Sequence, residues 1–296
     1  MNTALLAVDR HLAPTTLVQA LAALSGEGGT TILAGGTDLM PQSRAGRIRP
    51  ARTLLSLRRV PDLDGVAVES GDTLALGALV SVTTLLGSPL VRELAPLVAD
   101  AAGHFASEQI RNAATLGGNL CNASPASDLA TPLFALDAEV ELASLGEAGA
   151  IRKRCLPIAE FFTGPGRTTR AADELLTAVR LRLAPPDQRH AFYKGGTRPG
   201  LDISTISIAI AARRDDAGAL STVRVALGAV GPTPLRARRT EALLEGKAPD
   251  AALIEQAAGC AAEEATPIDD VRASAWYRRE LVMNMTRRML TDVCHP

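Results

Sequence analysis

Apolar and polar positions alternate along this chain in short blocks whose lengths and spacings read as mixed strands and helices. Leu5–Val8, Thr30–Ala34 and Thr53–Leu57 have strand length. Between the first two, Thr16, Leu17, Val18 and Gln19 form the capping-box pattern that starts a helix running to about Ser25, and the glycines from Gly26 to Gly29 stop it. Residues 1–57 therefore predict a small β-α-β unit with the pair Gly35-Gly36 at a strand end.

From Val66 the texture changes. Strands are predicted at Val66–Ser70 and Thr73–Gly77 across the turn Gly71-Asp72, and helices at about Val91–Ala106 and Leu129–Leu136. Ala138–Ser144 and Ile151–Leu156 read as a hairpin around Gly146 and Gly149, and Leu175–Leu183 as one more strand before Pro185-Pro186, where the sequence places a domain boundary. Beyond it, His190–Lys194, Ile203–Arg213 and Val223–Val230 are strands, with the turn Asp215–Gly218 between the last two. Helices follow at about Arg236–Leu244, Ala251–Glu264 and Ala273–Leu290. The expected division is 1–57, 58–184 and 187–291, with no internal repeat.

Composition narrows the function. The 296 residues carry 31 basic and 32 acidic side chains, which excludes the positive field that nucleic acid binding needs. With 3% aromatic residues, the core must be built from Leu, Ala, Val and Ile. No apolar run reaches membrane-spanning length and the first ten residues lack an export signal, so a cytoplasmic location is the expectation. Cys121, Cys155, Cys260 and Cys294 show no C-x-x-C spacing and the four histidines are scattered, so no zinc or iron–sulfur site is readable.

Candidate chemistry sits in two glycine-bearing segments. The first is Ile32-Leu33-Ala34-Gly35-Gly36-Thr37-Asp38-Leu39; it matches neither the Walker nor the Rossmann pattern, and alone it is weak, since glycine ends many strands and Thr37 and Asp38 also suit a helix N-cap. The second, from Gln109 to Asp128, contains Thr115-Leu116-Gly117-Gly118-Asn119 and a density of polar side chains (Arg111, Asn112, Asn122, Ser124) that a plain surface turn does not need. Glycine pairs let a backbone approach a pyrophosphate while Thr, Asn and Asp hydrogen-bond a polyol, so the pair of segments reads as a flavin cradle.

On these residues, together with Asn122–Asp128 and Asp270–Glu280, nearly the whole chain resembles the FAD-binding medium subunit of molybdenum-containing hydroxylases, the xanthine dehydrogenase and carbon monoxide dehydrogenase family. The resemblance implies an α+β fold: a two-subdomain FAD-binding domain of the vanillyl-alcohol oxidase type, then an α+β C-terminal domain of the CO dehydrogenase flavoprotein type. It implies that Ile32–Leu39 and Thr115–Asn119 hold the FAD pyrophosphate and ribityl chain, and that Asp128 is an acidic flavin contact. By the same resemblance Phe105 lies against the isoalloxazine, Leu176 touches the flavin through its backbone, and Lys194 contacts it. Without the family, Phe105 reads as a helix-end core aromatic, Leu176 as a buried strand residue and Lys194 as a solvated charge.

The implied partners are a molybdenum-cofactor large subunit and a [2Fe-2S] small subunit, with NAD, dioxygen or another acceptor taking the electrons. Phe105 tilts the substrate slightly toward purines or related N-heterocycles, with aldehydes and carbon monoxide left open. Residues 195–202 match a loop that governs acceptor access, where Arg198 and Asp202 either tune the flavin or pair with each other. No residue need be catalytic. Cys121 lies within the second segment, but the family holds FAD without a covalent bond. Arginines 272, 278, 279, 287 and 288 read as a solvated helix face or a subunit contact. A self-sufficient flavin oxidoreductase and a flavin-free scaffold subunit are the rival readings.

Overall fold

The computed structural model describes residues 8–26, 29–198 and 200–294. The first unit comprises β1 (Arg10–Leu12), α1 (Leu17–Leu24), β2 (Thr30–Leu33), α2 (Leu39–Arg44) and β3 (Thr53–Ser56), with its strands parallel in the order β1-β3-β2. The strand expected at Leu5–Val8 lies outside the described residues except for Val8; the first strand begins at Arg10. Thr16 Oγ1 accepts from Gln19 N at 3.1 Å, while Gln19 Oε1 accepts from Thr15 N at 3.0 Å, so the return bond of the capping box falls one residue early. Ala20, Leu21 and Leu24 then bury in one cluster with Leu55.

The second unit runs through β4 (Val66–Glu69), β5 (Thr73–Gly77), α3 (Val82–Gly87), α4 (Pro89–Leu94), α5 (Pro96–Gly103), α6 (Glu108–Ala113), α7 (Leu116–Asn122) and α8 (Ala130–Ala135). It continues with β6 (Glu139–Leu145), β7 (Ile151–Pro157), α9 (Ile158–Phe161), β8 (Phe162–Gly164), β9 (Arg167–Thr168) and β10 (Leu175–Arg182). Its main sheet is antiparallel in the order β4-β5-β10-β6-β7. The single helix expected over Val91–Ala106 is broken in two at Ala95 (φ −143°, ψ 56°), because Pro96 lacks an N–H and pushes the residue before it out of the helical region. Of the chain's five phenylalanines, Phe134, Phe161 and Phe162 pack ring on ring, with centroids 5.3 and 5.7 Å apart about Phe162.

The third unit is an antiparallel sheet, β11 (Gln188–Gly195), β12 (Ile206–Arg214), β13 (Leu220–Gly228) and β14 (Leu235–Arg236), covered by α10 (Arg238–Leu244), α11 (Ala251–Glu264) and α12 (Ala275–Cys294). Strand periodicity sorts β12 into two faces. Ile206, Ile208 and Ile210 bury in the cluster of this unit's own helices, whereas Ala209 and Ala211 join the core of the second unit. These small residues let α8 approach the sheet closely, and Thr131 of α8 and Ser207 of β12 share a buried hydrogen bond of 2.8 Å. A Cβ at Gly228 would lie 2.3 Å from both hydroxyl oxygens.

On the main sheet of the second unit, Glu141 accepts from Thr177 Oγ1 (2.6 Å), Lys153 Nζ (3.1 Å) and Arg180 Nη1 (3.0 Å), and Arg180 reaches on to Glu69 at 2.8 and 3.1 Å. Burial alone would raise the Glu141 carboxyl, but the Thr177 hydroxyl, Lys153 and Arg180 outweigh it and hold it below the ordinary glutamate value. A depressed carboxyl contributes stability that is present above its unfolded value, about 4.3, and is lost as pH falls through the folded value.

Two outcomes follow. Gly228→Ala is expected to cost about 1–3 kcal/mol, seen as a lower thermal midpoint. In thermal melts taken at falling pH, Glu141→Gln is expected to show a shallower loss of stability below about pH 4 than the parent, from a lower starting point near neutrality. Parallel curves would dismiss Glu141 as a source of acid sensitivity.

Candidate cofactor site

The first glycine segment leaves β2 and enters α2 with Gly36 at φ +71°, a conformation that favours glycine. Gly35 is needed for space: a Cβ there would sit 1.9 Å from the carbonyl oxygen of Ala113, so the backbones of the two segments touch. The amides of Gly35, Gly36, Thr37 and Asp38 find no acceptor among the described residues. Four consecutive free N–H groups beside a cavity form a ready cradle for an anion. Asp38 stands at the N-cap position of α2 without capping it; its carboxylate accepts from the Gln42 side chain instead.

The second segment, for which the sequence predicted no helix, is largely helical. Thr115 caps α7, its Oγ1 accepting from Gly118 N at 3.1 Å, and α7 ends at Ala123 in the left-handed region. Gly117 N donates to Ala78 O at 2.7 Å, and a Cβ on Gly117 would meet Ala78 Cβ and O at 2.8 Å, so this glycine seats the helix against the end of β5. Gly118 faces the first segment, its Cβ position being 3.5 Å from Ala34 Cβ. Asn119 Oδ1 accepts from Ser127 Oγ at 2.5 Å, which leaves its amide nitrogen without an acceptor among the described residues. Arg111 and Asn112 serve structure: Arg111 Nη1 donates to Phe105 O (2.9 Å) and Asn112 accepts from Thr83 Oγ1 (2.6 Å).

Between the segments lies a cavity of about 700 Å³, within the range of about 300–1,000 Å³ usual for bound small molecules. Ile32, Ala34–Leu39, Phe105, Thr115, Gly117–Asn119, Asp128 and Leu176 line it. Leu33 and Leu116 do not; Leu116 is fully buried in the core of the second unit, so these positions shape backbone rather than wall. Lys194 is also withdrawn. Its Nζ donates to Asp128 Oδ2 at 2.6 Å and to His104 O at 3.1 Å, and both side chains of the pair are about nine-tenths buried. Ser204 Oγ donates to the other Asp128 oxygen at 2.5 Å. Burial pushes the Asp128 carboxyl up, against the pull of Lys194 and Ser204.

Several readings of the sequence change here. Arg198 does not pair with Asp202; it donates to Leu201 O, and Asp202 instead accepts from Thr197 N, Thr197 Oγ1 and Ile203 N while lining the cavity. Arg278 is not on a solvated face. Its side chain is 3% exposed, its Nη1 donating to Ala229 O at 2.9 Å and Nη2 to Asp270 at 2.7 Å. Ala229 N in turn donates to Pro125 O at 2.8 Å, so the Asp270–Glu280 stretch braces the segment that follows α7. Arg170, which the sequence did not single out, also lines the cavity. Burial pushes the Cys121 thiol up to about 11, which keeps it protonated and unreactive at neutral pH.

The residues present fit a flavin dinucleotide: free amides for the diphosphate, a glycine-lined approach, hydroxyl and amide side chains, and the Phe105 ring. Among the described residues no group of His, Cys, Asp and Glu is placed to hold a metal ion. Residues 7–182 match the family model of the FAD binding domain in molybdopterin dehydrogenase, and residues 191–293 that of the CO dehydrogenase flavoprotein C-terminal domain. The xanthine dehydrogenase FAD-binding subunit of Escherichia coli O157:H7 is 31% identical over 94% of this chain and 93% of its own. The glyceraldehyde dehydrogenase medium chain of Sulfolobus acidocaldarius is 31% identical over 94% of this chain and 95% of its own. A solved carbon monoxide dehydrogenase chain from Hydrogenophaga pseudoflava superposes with a TM-score of 0.89 at 31% identity, covering 97% of both chains. The chain therefore belongs to the FAD-binding medium subunits of the molybdenum hydroxylases, the xanthine dehydrogenase and carbon monoxide dehydrogenase family. It is an oxidoreductase subunit whose cofactor is FAD.

Asn119→Asp would set a carboxylate into the cavity wall, and if the diphosphate lies there FAD affinity is expected to fall about tenfold or more with the circular dichroism spectrum unchanged. Full FAD retention by that folded variant would remove α7 from the binding site.

Proposed function

We propose that this chain is the electron-relay subunit of a three-component hydroxylase. A molybdenum-cofactor subunit oxidises the substrate, a [2Fe-2S] subunit carries single electrons, and this subunit passes them through FAD to NAD, dioxygen or another acceptor. The observation that carries the reading is the composition of the cavity wall. No histidine lines it among the described residues, its three carboxylates, Asp38, Asp128 and Asp202, each accept hydrogen bonds from neighbouring groups, and burial holds the thiol of its one cysteine, Cys121, protonated. A self-sufficient flavin oxidoreductase would need an acid, a base or a covalent anchor there.

Bound FAD supplies the exchange between single-electron and two-electron carriers. The chain's own residues supply placement. In this reading the amides of residues 35–38 and the wall residues Thr115 and Gly117–Asn119 hold the diphosphate and ribityl chain, with Leu33 and Leu116 setting the backbone behind them. Phe105 and the backbone of Leu176 flank the ring, and Asp128 presents a carboxyl oriented by Lys194 and Ser204. Phe105 favours a purine or related N-heterocycle as the substrate of the complex. The cytoplasm is the proposed location, consistent with four free cysteines. The domain limits 1–57, 58–184 and 187–291 belong to the same reading.

The test is an absorption spectrum of the chain purified with whatever accompanies it, followed by acid precipitation. FAD released in full into the supernatant, with molybdenum- and iron-containing partners present, is the expected result. FAD on a lone chain that turns over a substrate would favour the self-sufficient enzyme, and a flavin that stays with the precipitate would contradict the inert Cys121 thiol.

A further inference from the structure

Arg170 is the single cationic side chain among the described residues that line the cavity. Its guanidinium is set in place from one edge: Nη1 donates to the carbonyls of Ala171 (2.9 Å) and Glu174 (2.7 Å). Glu174 is fixed in turn by Arg154, at 2.7 and 2.8 Å, and by Ala171 N at 2.8 Å. The Nη2 and Nε donors of Arg170 have no acceptor among the described residues, and no carboxylate of the cavity wall pairs with it. A half-buried arginine that lines a cavity, is oriented by backbone carbonyls and keeps spare donors is prepared for an anion.

Its position selects which part of the cofactor it meets. The β8–β9 turn, which leads through β9 into the connection that carries Arg170, is fastened to the end of α7, Gly166 N donating to Ala123 O at 2.9 Å. Its positive charge acts on Cys121, which lies three residues, a rise of about 4.5 Å, beyond Gly118 on the same helix. Gly118 itself meets the free-amide segment at Ala34. The three acids of the wall do not compete for the guanidinium: Asp128 is neutralised by Lys194, Asp202 is held by Thr197 and Ile203, and Asp38 by Gln42. A diphosphate resting on the amides of residues 35–38 would bring negative charge into a wall whose one uncommitted cation is Arg170.

We propose that Arg170 is a positioning residue for FAD, its free Nη2 and Nε donors holding the cofactor's diphosphate alongside the amide cradle. The inference rests on the two glycine segments being that cradle. It concerns affinity and registry of the dinucleotide, not electron transfer.

The test titrates the deflavinated full chain with FAD, read by isothermal titration calorimetry, and repeats the titration with ADP, adenosine and riboflavin as separate probes. Arg170→Met is expected to weaken FAD and ADP about tenfold or more while leaving adenosine and riboflavin within twofold, and Arg170→Lys is expected to fall between. Raising the salt concentration is expected to weaken FAD binding more in the parent than in Arg170→Met. FAD and ADP affinities within twofold of the parent would overturn the proposal. So would equal losses for adenosine, which point to the base, or for riboflavin, which point to general damage. If Arg170→Met does not fold, Arg170→Lys and Arg170→Gln decide, since both can donate and only one is charged; equal FAD affinity for that pair overturns the proposal. Loss in Asn119→Asp with none in Arg170→Met removes Arg170 alone, whereas no loss in either removes the cradle.

Discussion

The contact between the backbone of Gly35 and the carbonyl of Ala113 is the constraint from which the cofactor site follows. Two segments from different units of the chain meet there with no side chain between them. That approach holds the free amides of residues 35–38 within reach of the first turn of α7, and the space left beyond it is the cavity. Gly117 does the same on the far side of α7, pressing it onto Ala78, so one glycine sets the helix against the sheet and another sets the neighbouring segment against the helix. Any side chain at either point would push the walls apart by more than a hydrogen-bond length's tolerance.

The third unit completes the site by polar contacts that cross a largely apolar seam. Lys194 and Ser204 reach Asp128, Ser207 reaches Thr131, and Ala229 reaches Pro125, each from the C-terminal sheet or the segments flanking its strands to the stretch after α7. The Lys194–Asp128 pair is buried, and removing water from two charges offsets much of their attraction. Its contribution is therefore to registry more than to stability: only one docking of the third sheet satisfies Asp128 from both sides. Arg278 braces the same seam from behind through Ala229 and Asp270.

How far the sequence could be read depended on the range of the force responsible. Capping at Thr16, the turn at Gly71-Asp72, the hairpin of β6 and β7 and the alternation in β12 are near-neighbour effects, and they were legible. The helix expected over Val91–Ala106 stops at Ala95 because Pro96, a local breaker, ends it. The short helices α2, α3, α6 and α7 were missed, since a helix of six or seven residues carries too little periodicity to stand out. Arg170 carried no signal, lying in a connection with no motif, and Arg278 gave the opposite signal by its place among exposed arginines.

The sequence by itself determined the glycine positions and the residue types that a dinucleotide needs, because these are properties of composition and spacing, and it carried the motifs on which the family resemblance rests. Tertiary structure decided which of them face the cavity. Lys194 was turned from the cavity to Asp128, Leu116 was sent to the core, and Arg111 and Asn112 were taken up by the backbone of Phe105 and the hydroxyl of Thr83. Those outcomes depend on partners that are distant along the chain or held by its fold, and long-range partners are what one-dimensional spacing does not encode.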